Sequence, residues 1–161
     1  VTVHNRNRER EAPVAEAGAG RAATPSQAAA GAEIVITCAS DTPDVEDVVL
    51  GDEGIIQGAP QGAIVIDMST ISPAATRKMA EALGKKDIKM LDAPVSGGQV
   101  GAEAGNLTIM VGGDPKTFEQ IKPLFEIMGA RVARVFQKLP AFPRMIFPSG
   151  ECMKSMKSLL T

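Results

Sequence analysis

Three short apolar runs constrain this chain more than any other feature. They are Glu33-Ile34-Val35-Ile36-Thr37-Cys38, Ala63-Ile64-Val65-Ile66-Asp67 and Ile88-Lys89-Met90-Leu91-Asp92. The first two are β-branched and show no polar alternation, the pattern of strands covered on both faces. Between the runs lie helix-start signals. Asp41-Thr42-Pro43 opens a helix to Leu50, and Ser72-Pro73 opens another through Leu83, closed by Gly84. Parallel strands need a crossover of a dozen or more residues, and a helix supplies it. Strand and helix alternating at this spacing predict an α/β layer fold with a mainly parallel sheet.

The flanking segments extend the pattern. Val1-Thr2-Val3-His4 reads as the tail of a strand, and residues 9–17 as a helix stopped by Gly18. Thr24 caps a second short helix that Pro25 begins and that ends near Gly31. A Gly-rich loop separates the third run from a fourth strand at residues 107–111. Asp114-Pro115 opens a long helix to Met128 whose apolar residues, Phe118, Ile121, Leu124, Phe125 and Met128, form one stripe. Residues 131–135 complete the alternation as a last strand. Beyond them Pro140, Pro143 and Pro148 break any long helix, and residues 153–160 read as a short final one. The chain therefore divides into residues 1–135, one α/β domain, and residues 136–161, a tail of different character.

Composition narrows the partners. A net charge of −2 over 161 residues offers no basic field for nucleic acid or anionic lipid. Five Phe with no Trp or Tyr make a poor stacking platform for bases. No run approaches the roughly 20 apolar residues of a membrane span. Cys38 and Cys152 lack metal-ligand spacing, so no metal site is expected, and two distant thiols suggest a reducing, cytoplasmic setting. The chain opens at Val1 in strand-like sequence, so an N-terminal segment is read as missing and targeting is unreadable.

Three segments carry chemistry. The first is Asn5-Arg6-Asn7-Arg8 after the opening strand. In dinucleotide-binding folds an acidic residue after the second strand accepts from the adenosine ribose hydroxyls. The neutral Asn5, with Arg6 and Arg8, suits a 2′-phosphate instead, although both arginines also read as solvated charges at a helix start. The second is Asp67-Met68-Ser69-Thr70-Ile71-Ser72-Pro73, at the carboxyl end of a buried strand, where open α/β sheets bind ligands. There Ser72 reads as the helix cap and Thr70 as the ligand-facing hydroxyl. The third is Asp92-Ala93-Pro94-Val95-Ser96-Gly97-Gly98. Its glycines allow close backbone approach to an anion, and Ser96 adds a hydroxyl donor. His4, the single histidine, reads as a structural residue at a strand end.

These motifs, followed by Gly101-Ala102 and by Gly105-Asn106-Leu107-Thr108-Ile109-Met110-Val111-Gly112-Gly113, resemble the β-hydroxyacid dehydrogenases of the 3-hydroxyisobutyrate dehydrogenase and 2-hydroxy-3-oxopropionate reductase type. The resemblance runs over residues 1–135. It implies a Rossmann-like, doubly wound domain and reversible hydride transfer between a nicotinamide and a small β-hydroxyacid. It implies that Ser96, Gly97 and Gly98 hold the substrate carboxylate and that Thr70 lies near the nicotinamide ribose. The loop after Cys38 would face the cofactor, with Ala39 and Ser40 where the family often has Leu-Pro, and Asp44 where it has a polar residue. Asn5-Arg6 resembles the NADP-preferring members, so NADP is the expected cofactor and NAD the less favoured one.

Two family features have no counterpart in the sequence. One is the opening strand with its Gly-x-Gly-x-x-Gly turn; Gly18 and Gly20 follow a helix and do not replace it. The other is a catalytic lysine on a helix after the last strand, with an Asn four residues on. Lys138, Lys154 and Lys157 do not fit that pattern, so no catalytic residue is assigned. The expectation is an NADP-binding oxidoreductase domain, inactive alone and poorly stable, with a homodimer only where a helical C-terminal domain is present. The alternative is a non-catalytic nucleotide-binding or partner-binding fragment.

Overall fold

A computed structural model describes residues 1–135 of the chain. Two sheets form. In the smaller, β1 (Thr2–Val3) pairs parallel with β2 (Gly20–Arg21), across a 3-10 turn (Arg8–Glu11) and helix α1 (Ala12–Glu16). Helix α2 (Pro25–Ala29) follows, its first turn held by Thr24, whose side chain accepts from the Gln27 N–H.

The larger sheet has six strands. β3 (Ile34–Thr37), β4 (Ile64–Asp67) and β5 (Lys89–Asp92) run parallel in that order. β7 (Leu107–Gly113) joins β5 antiparallel, and β6 (Val95–Ser96) and β8 (Gly129–Arg134) both pair with β7. Helices α3 (Thr42–Leu50), α4 (Ile55–Gly58), α5 (Pro73–Gly84), α6 (Gly98–Glu103) and α7 (Pro115–Met128) connect them. Local chemistry starts two of these helices as the sequence suggests. Asp41 accepts from the Asp44 N–H at 3.1 Å, and Asp114 accepts from the Thr117 N–H at 2.8 Å.

Helices pack on both faces of the sheet, which makes the domain a doubly wound, Rossmann-like α/β fold. Val35, Val65 and Met90 face α2 to α5, packing with Ala29, Val45, Val49, Ile55, Met79 and Leu83. On the other face Ile64, Ile66 and Leu91, with Ile109 and Val111 of β7, lie under Phe118, Ile121 and Phe125 of α7. The Phe118 and Phe125 rings stack with centroids 6.3 Å apart.

Three expectations need correction. β3 is not buried on both faces: Ile34 is 40% and Ile36 44% exposed. Both stand level with Ile64 and Ile66 on the α7 face, but α7 packs chiefly on β5, β7 and β8 and reaches only as far as β4, so β3 lies at the margin of its cover. Ser72 sits at the N-cap of α5 without a side-chain cap bond; its own N–H donates to the Thr42 hydroxyl at 3.1 Å, tying α5 to the start of α3. The Gly-rich segment after β5 is more than a loop, since it contains β6 and the short helix α6.

Candidate functional site

The parallel register places Thr37, Asp67 and Asp92 side by side at the carboxyl ends of β3, β4 and β5. At a strand spacing of about 4.8 Å they form a row roughly 10 Å wide. Beyond it the chain leaves each strand in a loop. Ser40, Thr70, Ser96, Gly97 and Gly98 are exposed on these loops or where they end, while Thr37, Asp67 and Ser69 are buried beneath them.

Asp67 organises the buried layer. Its Oδ1 accepts from the Thr37 hydroxyl at 2.9 Å, the Ser69 hydroxyl at 2.6 Å and the Ser69 N–H at 3.2 Å. Ser69 Oγ in turn accepts from the Ala39 N–H at 2.9 Å. The Asp67 charge reaches its neighbours. Burial first, and the Asp67 charge second, push the Asp92 carboxyl up to about 6. Partial desolvation and the same charge raise the Cys38 thiol, which leaves it a neutral and weak nucleophile.

Ser96 lies on β6, opposite Thr108 of β7, and stays exposed. Gly97 has φ 138°, and a Cβ there would stand 3.1 Å from Leu107 Cδ2; Gly98 has φ 60°. Both positions lie in the left-handed half of backbone space that side chains disfavour. The turn is therefore built for glycine, and it keeps the Ser96 hydroxyl and the adjoining backbone open to solvent.

At the end of β1 the charged residues divide. Arg6 points outward, its side chain 85% exposed, and pairs with Asp44 of α3 at 2.8 Å. Arg8 turns back to Glu11, 3.0 Å away, and to the Ala22 carbonyl. Glu11 is enclosed and also meets Arg21 at 2.7 Å and the Asn5 N–H at 2.8 Å. Burial raises its carboxyl, but the bonds from Arg21 and Asn5 and the two arginine charges outweigh that and hold it below the usual range. Asn5 Oδ1 accepts from the Asn7 N–H at 2.9 Å. His4 Nδ1 donates to the Ala22 carbonyl at 3.3 Å, a structural contact.

The structure thus brings Ala39, Ser40 and Thr70 together on adjoining loops, joins Arg6 to Asp44, and commits Arg8 elsewhere. Gly18 precedes β2 and Gly20 lies within it, so neither forms a strand-to-helix turn. Glu11 and Ser69 escaped sequence reasoning. The Arg-Glu-Arg-Glu run looks like an exposed surface, and nothing local shows that a carboxylate there is enclosed. Lys138, Lys154 and Lys157 lie outside the described residues. Two shallow cavities of about 310 and 300 Å³ sit away from the carboxyl edge. They are lined at the opposite ends of the strands, by Ile88 and Lys89 and by Glu33 and Ile34, and are crevices under turns rather than part of the site. No helix of the described residues is long and apolar enough to cross a membrane.

Residues 1–136 match the family model described as the NAD binding domain of 6-phosphogluconate dehydrogenase. The chain is 42% identical over 118 residues to 2-hydroxy-3-oxopropionate reductase of Escherichia coli (strain K12), covering 73% of this chain and 39% of that protein. It is 42% identical over 117 residues to 3-hydroxyisobutyrate dehydrogenase of Pseudomonas aeruginosa, again covering 73% of this chain and 39% of the relative. Among solved structures, Psf3 in complex with NADP+ and 2-OPP matches with a TM-score of 0.79 at 30% identity, covering 99% of this chain and 52% of that one. The chain thus spans about two-fifths of the length of these two enzymes.

Proposed function

Given that the chain belongs to the family of NAD-binding domains described from 6-phosphogluconate dehydrogenase, we propose that it is the dinucleotide-binding part of an oxidoreductase of the 3-hydroxyisobutyrate dehydrogenase type, with NADP as its cofactor and a small β-hydroxyacid as substrate. One observation carries this reading. Hydroxyls and open backbone from three successive loops converge on the carboxyl edge of the parallel sheet, where such folds bind ligands. The donor set fits a phosphorylated dinucleotide: an exposed guanidinium at Arg6, the neutral Asn5 in place of a carboxylate, and the hydroxyls of Ser40 and Thr70.

The preference for NADP rests on Arg6 and on the NADP+ held by the similar Psf3 structure. An exposed ion pair such as Arg6–Asp44 contributes about 0–1 kcal/mol. A 2′-phosphate, offering charge-assisted and bidentate bonds, can take the guanidinium over. Asp44 then acts as the resting partner of Arg6 rather than a direct contact, and Arg8 supports the turn through Glu11. Ser96, with the backbone of Gly97 and Gly98, would hold the substrate carboxylate, and Thr70 would orient the nicotinamide ribose. The nicotinamide supplies the hydride chemistry.

Titration calorimetry with NADPH and NADH, beside an oxidation assay on a panel of hydroxyacids, tests the proposal. NADPH should bind more tightly, and Arg6→Ala should weaken it about tenfold while leaving NADH unchanged, the loss expected for one charged hydrogen-bond pair. Failure of both dinucleotides to bind would sink the reading.

A further inference from the structure

Ser69 is 3% exposed and cannot reach a ligand, yet it joins the two loops on which the proposed cofactor contacts stand. Its hydroxyl donates to Asp67 Oδ1 at 2.6 Å and accepts from the Ala39 N–H at 2.9 Å. Asp67 is itself fully buried, at the carboxyl end of β4. With its proton committed to that carboxylate, the Ser69 oxygen has its lone pairs free for the loop after β3. The exposed residues next in the chain are Ser40, after Ala39, and Thr70, after Ser69. Each of these hydroxyls is one residue from the same bond, so the separation between them is set there.

From this geometry we infer that Ser69 is a positioning residue for dinucleotide binding. It rests on the reading above and names the group that sets the spacing of that site. The remaining bonds between the loops are at their margins: the Met68 N–H to the Thr37 carbonyl at 2.8 Å, and the Ser72 N–H to the Thr42 hydroxyl at 3.1 Å. Neither spans the middle of the loops, where Ala39 and Ser69 meet. Removing the Ser69 hydroxyl leaves Asp67 Oδ1 with the Thr37 hydroxyl and the Ser69 N–H, so the carboxylate keeps partners while Ala39 loses its tether.

Thr37 supplies the control. Its hydroxyl meets the same carboxylate oxygen from the same buried layer, but it joins strand ends rather than loops. Ser69→Ala and Thr37→Val are compared with the unaltered 161-residue chain by thermal melting and by titration with NADPH and NADH. Both variants should lower Tm. Ser69→Ala alone should weaken NADPH and NADH by about tenfold each, the equivalent of one ordering hydrogen bond. The loss should be equal for the two, since the clamp is remote from Arg6. Should Ser69→Ala not fold, Ser69→Cys, slightly larger but still a weak donor and acceptor, should give a smaller loss of the same kind. Unchanged affinity in the Ser69 variant, or an equal loss in Thr37→Val, would overturn the inference while leaving the dinucleotide reading intact. Absence of binding by the unaltered chain would overturn both.

Discussion

β3 and β4 are nearly the same strand in sequence, Ile-Val-Ile-Thr and Ile-Val-Ile-Asp, paired residue for residue. Their surroundings differ. Ile64 and Ile66 are buried, whereas Ile34 and Ile36, level with them on the same face, are 40% and 44% exposed. Val35 and Val65, on the opposite face, both join the cluster beneath α3 and α5. An apolar run therefore specifies a strand, while a helix placed elsewhere in the chain decides which of its faces is dry. α7 lies over β5, β7 and β8, and its cover fails before β3.

The largest test of this contrast is truncation at matched positions. Ile66→Ala should cost about 3 kcal/mol, because the void sits in a packed layer, and Ile36→Ala about 1 kcal/mol or less. Urea denaturation of the two variants measures the difference. Equal losses would show that α7 covers β3 in solution.

The strand ends give a pH-dependent test. Asp92, beside Asp67, is raised from 3.8 to about 6. A carboxyl with a folded value above its unfolded one binds its proton more tightly when folded. Its contribution is thus present at low pH and lost as pH rises from 3.8 through about 6. Asp92→Asn removes that slope and should stabilise the chain at pH 7, by about 1 kcal/mol once solvent screening of a half-buried group is allowed for. Melting the pair of proteins between pH 4 and pH 8 reads it. A difference independent of pH would place Asp92 in open solvent.

Smaller effects are expected at the exposed border of β3. Ile36→Thr should alter stability by no more than about 0.5 kcal/mol, since the side chain is already wet. It should reduce self-association measured by sedimentation, because among the described residues β3 ends the hydrogen-bonded order of the large sheet and Ile36 is an exposed apolar side chain on that border strand. Asp44→Asn should be the mildest. It breaks only an exposed ion pair with Arg6 and should shift stability by less than about 0.5 kcal/mol.

Much of the fold was legible because its signals are local. Thr24, Asp41 and Asp114 each cap a helix that a proline begins within two residues, and each bond closes within three residues. The stripe on α7 likewise identified Phe118, Ile121 and Phe125 as core. The exceptions depend on partners far along the chain. Ser72 has the residue type and place of a cap, but its contact is Thr42, thirty residues away. Ser69 looked like one hydroxyl among several until Ala39 and Asp67 were seen around it, again across thirty residues for the first. Glu11 is enclosed by Arg8, Arg21 and the Asn5 amide, which the β1–β2 pairing brings together.

By itself, the sequence determined the longer strands of the large sheet, where most of the longer helices start, and that hydroxyl- and glycine-bearing loops follow the strands; the two-residue strands β2 and β6 carry no such local signal. Hydrophobic period, proline and capping chemistry act within a few residues, so no knowledge of the fold is required to read them. The tertiary structure alone decided which apolar face is covered, which arginine faces outward, and which serine locks two loops together. Burial and long-range hydrogen bonds depend on what another part of the chain places alongside, and a linear pattern does not contain that information.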